Sequence, residues 1–255
     1  AVPDTDEDCV TLAAQAAWNL ISQQGIKPHE IGRIYLGTES AVDAAKPSAT
    51  YVHGLLEERF AAEFGPRSLA HCDALDMTFA CAGGVDALLN SADWVRAGRG
   101  RKALVIAADV AKYAPHSPGE YTQGAGAVAL LVAEDPRILV LDDAVGVSVE
   151  SASDFFKPRR SFDKGELAAA VGGTLETAAD HPFWATPDSV IEQFLEFPVF
   201  DGPYSNDCYV ARVREALGRY EAEAGLRAMN DWFGMCFHLP YAFQGRRMWP
   251  DIALD

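Results

Sequence analysis

Thr78-Phe79-Ala80-Cys81-Ala82-Gly83-Gly84, with the apolar run Val85, Leu88, Leu89 and Ala92 behind it, is the stretch whose reading decides the fold. The i, i+3, i+4, i+7 spacing of that run predicts an amphipathic helix. Ser68 to Leu75, just before it, is β-prone. Cys81 is therefore expected at a strand-to-helix turn, within the first turn of the helix. Free backbone N–H groups and the positive end of the helix dipole would favour thiolate there and depress the thiol pKa. Ala82-Gly83-Gly84 leaves room for a ligand or another backbone to approach the sulfur. A buried structural cysteine is the competing reading.

Outward from this turn, strand-like and helix-like segments alternate, which points to the α/β class. Asp4 to Gln24 reads as a helix with Val10, Ala13, Ala14, Ala17, Trp18 and Ile21 on one stripe, ended by Gly25. Ile31 to Gly37 reads as a strand, followed at once by Thr38-Glu39-Ser40. Functional groups in open α/β sheets gather beyond the carboxyl ends of strands, so Glu39 is well placed. A solvated surface glutamate is the alternative. Ser48 to Phe64 is a second helix, closed by Gly65-Pro66.

Lys102 to Asp109 is nearly continuous in apolar residues, as expected of a strand buried on both faces. Lys112 to Glu120 is a Pro- and Gly-rich loop. Gly124-Ala125-Gly126-Ala127 opens a further strand rather than a helix, so it is no dinucleotide fingerprint. Arg137 to Leu141 and Val145 to Glu150 read as two more strands. Residues 163–197, with Gly172-Gly173, His181-Pro182 and a helical patch near Ile191, read as a surface excursion. Asp207 to Ala224 is a helix capped by Ser205 or Asn206. Trp232 to Phe237 reads as a last apolar strand, with His238 at its carboxyl end, and a helix starts between Ala242 and Met248.

A chain of 255 residues can bury a sizeable core as one large domain or two small ones. Its net charge of -16 makes nucleic acid and anionic membrane surfaces poor partners. The acidic residues are spread rather than bunched, as in proteins that work at high salt and in ordinary acidic enzymes. The five cysteines, Cys9, Cys72, Cys81, Cys208 and Cys236, show no CxxC spacing. With no signal peptide and no apolar run of bilayer length in the sequence, a reduced cytoplasm fits.

Glu39, Cys81 and His238 then share one description. Each stands at the carboxyl end of a predicted strand or on the turn after it, and parallel topology would gather those ends. A thiol nucleophile, a carboxylate base and an imidazole suit acyl transfer joined to carbon-acid chemistry. The remaining histidines (His29, His53, His71, His116 and His181) lack that placement. No metal is expected, because no pair has ligand spacing near a carboxylate cluster.

In order along the chain stand Gly37-Thr38-Glu39, Cys81-Ala82-Gly83-Gly84 with Trp94, Asp109, Thr122 to Leu131, Asp154-Phe155 before Lys157-Pro158, Phe200-Asp201-Gly202 with Ser205 and Cys208, and Phe237-His238-Leu239-Pro240-Tyr241. This series resembles 3-hydroxy-3-methylglutaryl-CoA synthase of the thiolase superfamily over nearly the whole chain. The resemblance implies a thiolase-like layered αβαβα fold, here one domain over 1–255 that is incomplete. The family has an opening strand before Ala1 and a second thiolase half after Asp255. It also implies that Cys81 takes acetyl from acetyl-CoA and that Glu39 removes a methyl proton. His238 then holds the keto oxygen of acetoacetyl-CoA, and water releases the product. Thr122, Ser205, Arg247, Asp109, Asp154 and Phe155 match positions that contact substrate or CoA. No cofactor is implied, since the CoA thioesters are substrates, and a homodimer is.

Phe243 stands where the family has a lysine, and Tyr121 where proline is usual. Three rivals remain: a ketoacyl synthase, a polyketide β-branching synthase acting on carrier protein, and a non-catalytic thiolase-fold subunit. A ketoacyl synthase would have no need of Glu39.

Overall fold

Ile31–Gly37 (β1) lies inside a four-stranded sheet of order β2-β1-β3-β4, with Asp73–Met77 (β2), Lys102–Ala111 (β3) and Gly124–Val132 (β4). This computed structural model describes residues 2–98, 100–170, 172–174, 189–194 and 196–253. β1 runs parallel to both β2 and β3, whereas β4 is antiparallel to β3. The carboxyl ends of β1, β2 and β3 therefore come to one edge, bringing Thr38-Glu39, Thr78 onward and Asp109 together.

Period-two alternation gives the central strands two buried faces. Ile34 and Leu36 of β1 and Leu104, Ile106 and Ala108 of β3 pack in one cluster with Cys9–Gln24 (α1) and Ser48–Phe64 (α2). Tyr35 and Val105, paired in register, face the other way against Ala87 of Gly83–Arg96 (α3). Helices on both faces explain why these strands carry almost no polar residues.

The helix ends follow from local chemistry. Asp8 caps α1: its carboxylate accepts from Thr11 N at 2.8 Å, and its own N–H donates to Thr11 Oγ1 at 2.8 Å. That reciprocal pair starts the helix at Cys9, later than Asp4, and Gly25 ends it with φ 62°. α2 is capped from the sheet, because Asp76 on β2 accepts from Ser48 N at 2.6 Å and Ala49 N at 2.8 Å. The Asp76 carboxylate thus anchors the far end of the loop that begins at Thr38.

Contacts divide the chain into two compact units. The first lies within 1–111, 122–145 and 233–246, and the second within 112–121, 146–232 and 247–255. In the second, Phe155–Phe156 (β5) pairs with Val199–Phe200 (β8), and Arg159–Asp163 (β6) pairs with Val190–Phe194 (β7), both antiparallel. Among the described residues its helices are Lys164–Ala170 (α4), Gly202–Ala224 (α5) and Ala228–Asp231 (α6), and Gln244–Ala253 (α7) ends the described chain. The phenyl rings of Phe155 and Phe200 meet that of Tyr113 edge-on, with centroids 6.1 to 6.4 Å apart.

Several expectations need correction. Arg137 to Leu141, Val145 to Glu150 and Trp232 to Phe237 are not strands. Their residues have β propensity, but a strand forms only where another edge takes up its N–H and C=O groups, and no described strand pairs with them. Ile138, Leu139 and Val140 are left exposed at 97, 66 and 73%. The patch near Ile191 is strand β7, held in register by β6, and not helix. α5 begins at Gly202 because Asp201 caps it, accepting from Tyr204 N at 3.1 Å. Of 163–197, the end of β6, α4 and β7 have regular structure, while His181-Pro182 lies outside the described residues.

Candidate active site

Cys81 sits in a short 3-10 turn, Ala80–Ala82, between β2 and α3. The glycines after it bring two backbones together. A Cβ on Gly37, the last residue of β1, would overlap Gly84 N and Gly83 C, and one on Gly83 would overlap Met77 O. A Cβ on Gly84 would come within 2.9 Å of Ala107 Cβ on β3. The room at Ala82-Gly83-Gly84 is thus used by the sheet itself, which seats the Cys81 turn directly on the ends of β1, β2 and β3. Ala80, just before the cysteine, has φ +33°, a backbone region that L residues seldom adopt.

Across from this turn, residues 38–40 are tied to the end of β3. Thr38 is fully buried, and its hydroxyl donates to Asp109 Oδ1 at 2.9 Å. The same Asp109 oxygen accepts the Glu39 backbone N–H at 2.8 Å. Ser40 N donates to Thr38 Oγ1 at 2.9 Å, and Ser40 Oγ accepts from Val110 N at 3.1 Å. The sequence reading missed Thr38 and Cys9, whose Sγ lies 3.2 Å from Thr38 Oγ1. A threonine between a strand end and an acidic residue was the available signal. That signal is weak, because hydroxyl residues after strands usually serve turns.

The electrostatics of Cys81 reverse the expectation of a depressed thiol. Its pKa is pushed up to about 11, first by burial of the sulfur and then by the carboxylates of Glu39 and Asp109. The residue as a whole is exposed, while its sulfur is crowded by protein atoms. A helix start is worth about 0.3–1 kcal/mol, less than one pH unit, and cannot offset burial beside two carboxylates. The other thiols with a clear shift, Cys9 and Cys72, are raised as well, to about 11 and 12, chiefly by burial. All five cysteines are free.

His238 belongs to the same unit as Cys81 and Glu39 but lies on an irregular segment instead of a strand end. Burial holds its pKa below the ordinary imidazole value, so it is neutral at pH 7. Thr122 is exposed at the end of a 3-10 turn that leads into β4. Asp154, Phe155, Ser205 and Arg247 fall in the second unit. There Phe155 pairs with Phe200, Asp154 O accepts Asp201 N at 2.9 Å, and Ser205 lies in the first turn of α5. Among the described residues no group of His, Cys, Asp and Glu has the arrangement to hold a metal ion. No described helix is long and apolar enough to cross a membrane.

The chain has counterparts among known proteins. The family described as "Hydroxymethylglutaryl-coenzyme A synthase N terminal" matches residues 2–136, more than half of the chain, including Glu39, Cys81 and Asp109. The chain belongs to the hydroxymethylglutaryl-CoA synthase family. It is 38% identical over 242 residues to the hydroxymethylglutaryl-CoA synthase of Haloferax volcanii, covering 94% of this chain and 45% of that one. With the enzyme of Enterococcus faecalis it shares 30% over 248 residues, covering 97% and 52%. A solved structure of MvaS in complex with 3-hydroxy-3-methylglutaryl coenzyme A superposes with a TM-score of 0.73 at 30% identity. That likeness covers 100% of this chain and 53% of the other, and the fold is thiolase-like. The chain spans about half the length of the curated relatives it matches.

Proposed function

We propose that this chain carries the acyl-transfer centre of a synthase that condenses acetyl-CoA with acetoacetyl-CoA to 3-hydroxy-3-methylglutaryl-CoA, as in the mevalonate route to isoprenoids. One observation carries the reading: the parallel pairing of β1 with β2 brings Glu39 and the turn that bears Cys81 to the same sheet edge, where the carboxylate bears on the thiol. A nucleophile beside a carboxylate at a strand-end turn supports a carbanion step, for which a ketoacyl synthase would not need a glutamate. Cys81 attacks the acetyl carbonyl, its proton leaves, and CoA departs as the thiol. An environment that disfavours a thiolate favours the neutral thioester, since hydrolysis must expel the sulfur of Cys81 as an anion. Glu39 then takes a methyl proton, and the carbanion attacks the keto carbon of acetoacetyl-CoA. A neutral His238 donates a hydrogen bond from its ring N–H to the keto oxygen, the proton that Glu39 took returns to the alkoxide formed there, and water hydrolyses the thioester.

Thr122, Asp109, Asp154, Phe155, Ser205 and Arg247 contact substrate or CoA in this reading. No resident cofactor is called for, because the CoA thioesters are substrates. The five free thiols support a reducing, cytoplasmic setting. Incubation of the natural full-length protein with radiolabelled acetyl-CoA is expected to leave about one acetyl on Cys81 and none on Cys81→Ala. Label retained by Cys81→Ala would overturn the proposal. We also propose a homodimer with the Cys81 region near its interface. Phe79 and Val85 flank the turn and are exposed at 53 and 58%, a poor surface for a lone protomer. Sedimentation of the full-length protein should give a dimer, and a monomer at working concentration would contradict this.

A further inference from the structure

Glu39 can act as a base only if its carboxylate is held at the methyl carbon, and the ends of β1 and β3 supply that constraint. We infer that Thr38 is a positioning residue for Glu39, fixing it through Asp109; the inference rests on the synthase reading above. Thr38 lies directly between the last residue of β1 and Glu39. It is fully buried, and its N–H donates to Met77 O at 3.2 Å, so its own backbone is tied to the end of β2. Its hydroxyl is the hinge of the arrangement. It gives its one proton to Asp109 Oδ1 at 2.9 Å and accepts the Ser40 N–H at 2.9 Å. Asp109 Oδ1 meanwhile accepts the Glu39 N–H at 2.8 Å.

The peptides on both sides of Glu39 are thereby fastened to β3, one directly and one through Thr38. Thr38 holds one oxygen of the Asp109 carboxylate by the same bond. The thiol of Cys9, 3.2 Å from Thr38 Oγ1 and 3.3 Å from Ala108 O, closes the same corner from α1. Valine has the shape of threonine but neither donates nor accepts. In that variant the Ser40 N–H loses its acceptor, and Asp109 Oδ1 keeps Glu39 as its remaining partner among these bonds. The loop that carries Glu39 then drifts by about an ångström, without harm to the Cys81 turn on the far side.

The test uses the natural full-length protein. Thr38→Val should acetylate Cys81 within about twofold of native and leave KM for acetyl-CoA unchanged, while kcat for condensation falls about 100-fold, the scale of a 1 Å misplacement. Thr38→Ser restores the hydroxyl and should recover condensation to within about threefold of native. Condensation at the native rate by Thr38→Val, an equal loss of acetylation and condensation, or no rescue by serine would each overturn the inference. Should Thr38→Val fail to fold, the comparison moves to Asp109. Asp109→Asn keeps an acceptor oxygen for both donors and should condense at least about tenfold faster than Asp109→Ala. Equal rates for those two would overturn the inference as well. Failure of the native protein to acetylate Cys81 is a separate outcome, and it removes the synthase reading itself.

Discussion

Glu39→Ala is expected to acetylate Cys81 at least as fast as the native protein and to condense about 100- to 10,000-fold more slowly. The two halves of this expectation have different causes. The carboxylate of Glu39 raises the Cys81 thiol, so its removal lowers the thiol pKa from about 11 and eases ionisation as acetyl is taken up. Proton removal from the acetyl methyl then lacks the carboxylate assigned to it. Asp43, the nearest other carboxylate in the same loop, cannot substitute. Its Oδ1 accepts from Ala45 N at 2.8 Å and Lys46 N at 2.9 Å, and its Oδ2 accepts from Tyr51 OH at 2.8 Å. Those bonds hold its pKa at about 2, far too low for a proton acceptor near neutral pH. Radiolabel on Cys81, exchange of the acetyl methyl protons and product formation are the three measurements. Label without exchange is the expected pattern, and condensation near the native rate would return the ketoacyl-type mechanism to the front.

Strand order was not written in the sequence, but the strands that matter were. β1, β3 and β4 are legible because each is a short apolar run bounded by turn residues, and α1, α2 and α3 because their apolar stripes recur at helical spacing. The same logic failed where pairing decides the outcome. Ile138 to Val140 and Trp232 to Phe237 have the composition of strands, yet nothing in a segment's own residues says whether an edge is available to it. Gly37, Gly83 and Gly84 show the same limit at the site. The sequence admits a ligand or a backbone as the reason for such small residues, and only the packing shows that the ends of β1 and β2 take that space.

The placement of Glu39 and Cys81 was legible for a different reason. Parallel β1, β2 and β3 must deliver their following turns to one edge, so any reactive residues on those turns become neighbours. Their electrostatics were not. A helix start favours the thiolate weakly and is visible in the sequence; burial and a second carboxylate from β3 oppose it more strongly and are visible only in three dimensions. The environment of Cys81 disfavours a standing thiolate.

Gly37→Ala should be the most damaging single methyl in the first unit. Gly37 is not in the left-handed region, so the cost lies in space alone. The added Cβ would overlap Gly84 N and Gly83 C and lie 2.5 Å from Gly84 Cα. Overpacking against side chains typically costs about 1–3 kcal/mol, because they can rotate away. Here every near atom is backbone, fixed in the first turn of α3, whose next turn packs Ala87 against Tyr35 and Val105. Relief requires β1 and α3 to separate, so a loss of about 3 kcal/mol or more is expected, a fall of roughly 6–12 °C in Tm for a chain of this size. The same separation carries the Cys81 turn away from Glu39, so acetylation should be lost even in the fraction that remains folded. Gly54→Ala is the control, since a Cβ there meets nothing within 4 Å inside α2. It should stabilise by about 0.5–1 kcal/mol, as alanine does in place of glycine within a helix. A Gly37→Ala protein that melts within about 2 °C of native and still acetylates Cys81 would mean that the contact between β1 and the Cys81 turn does not hold the site together.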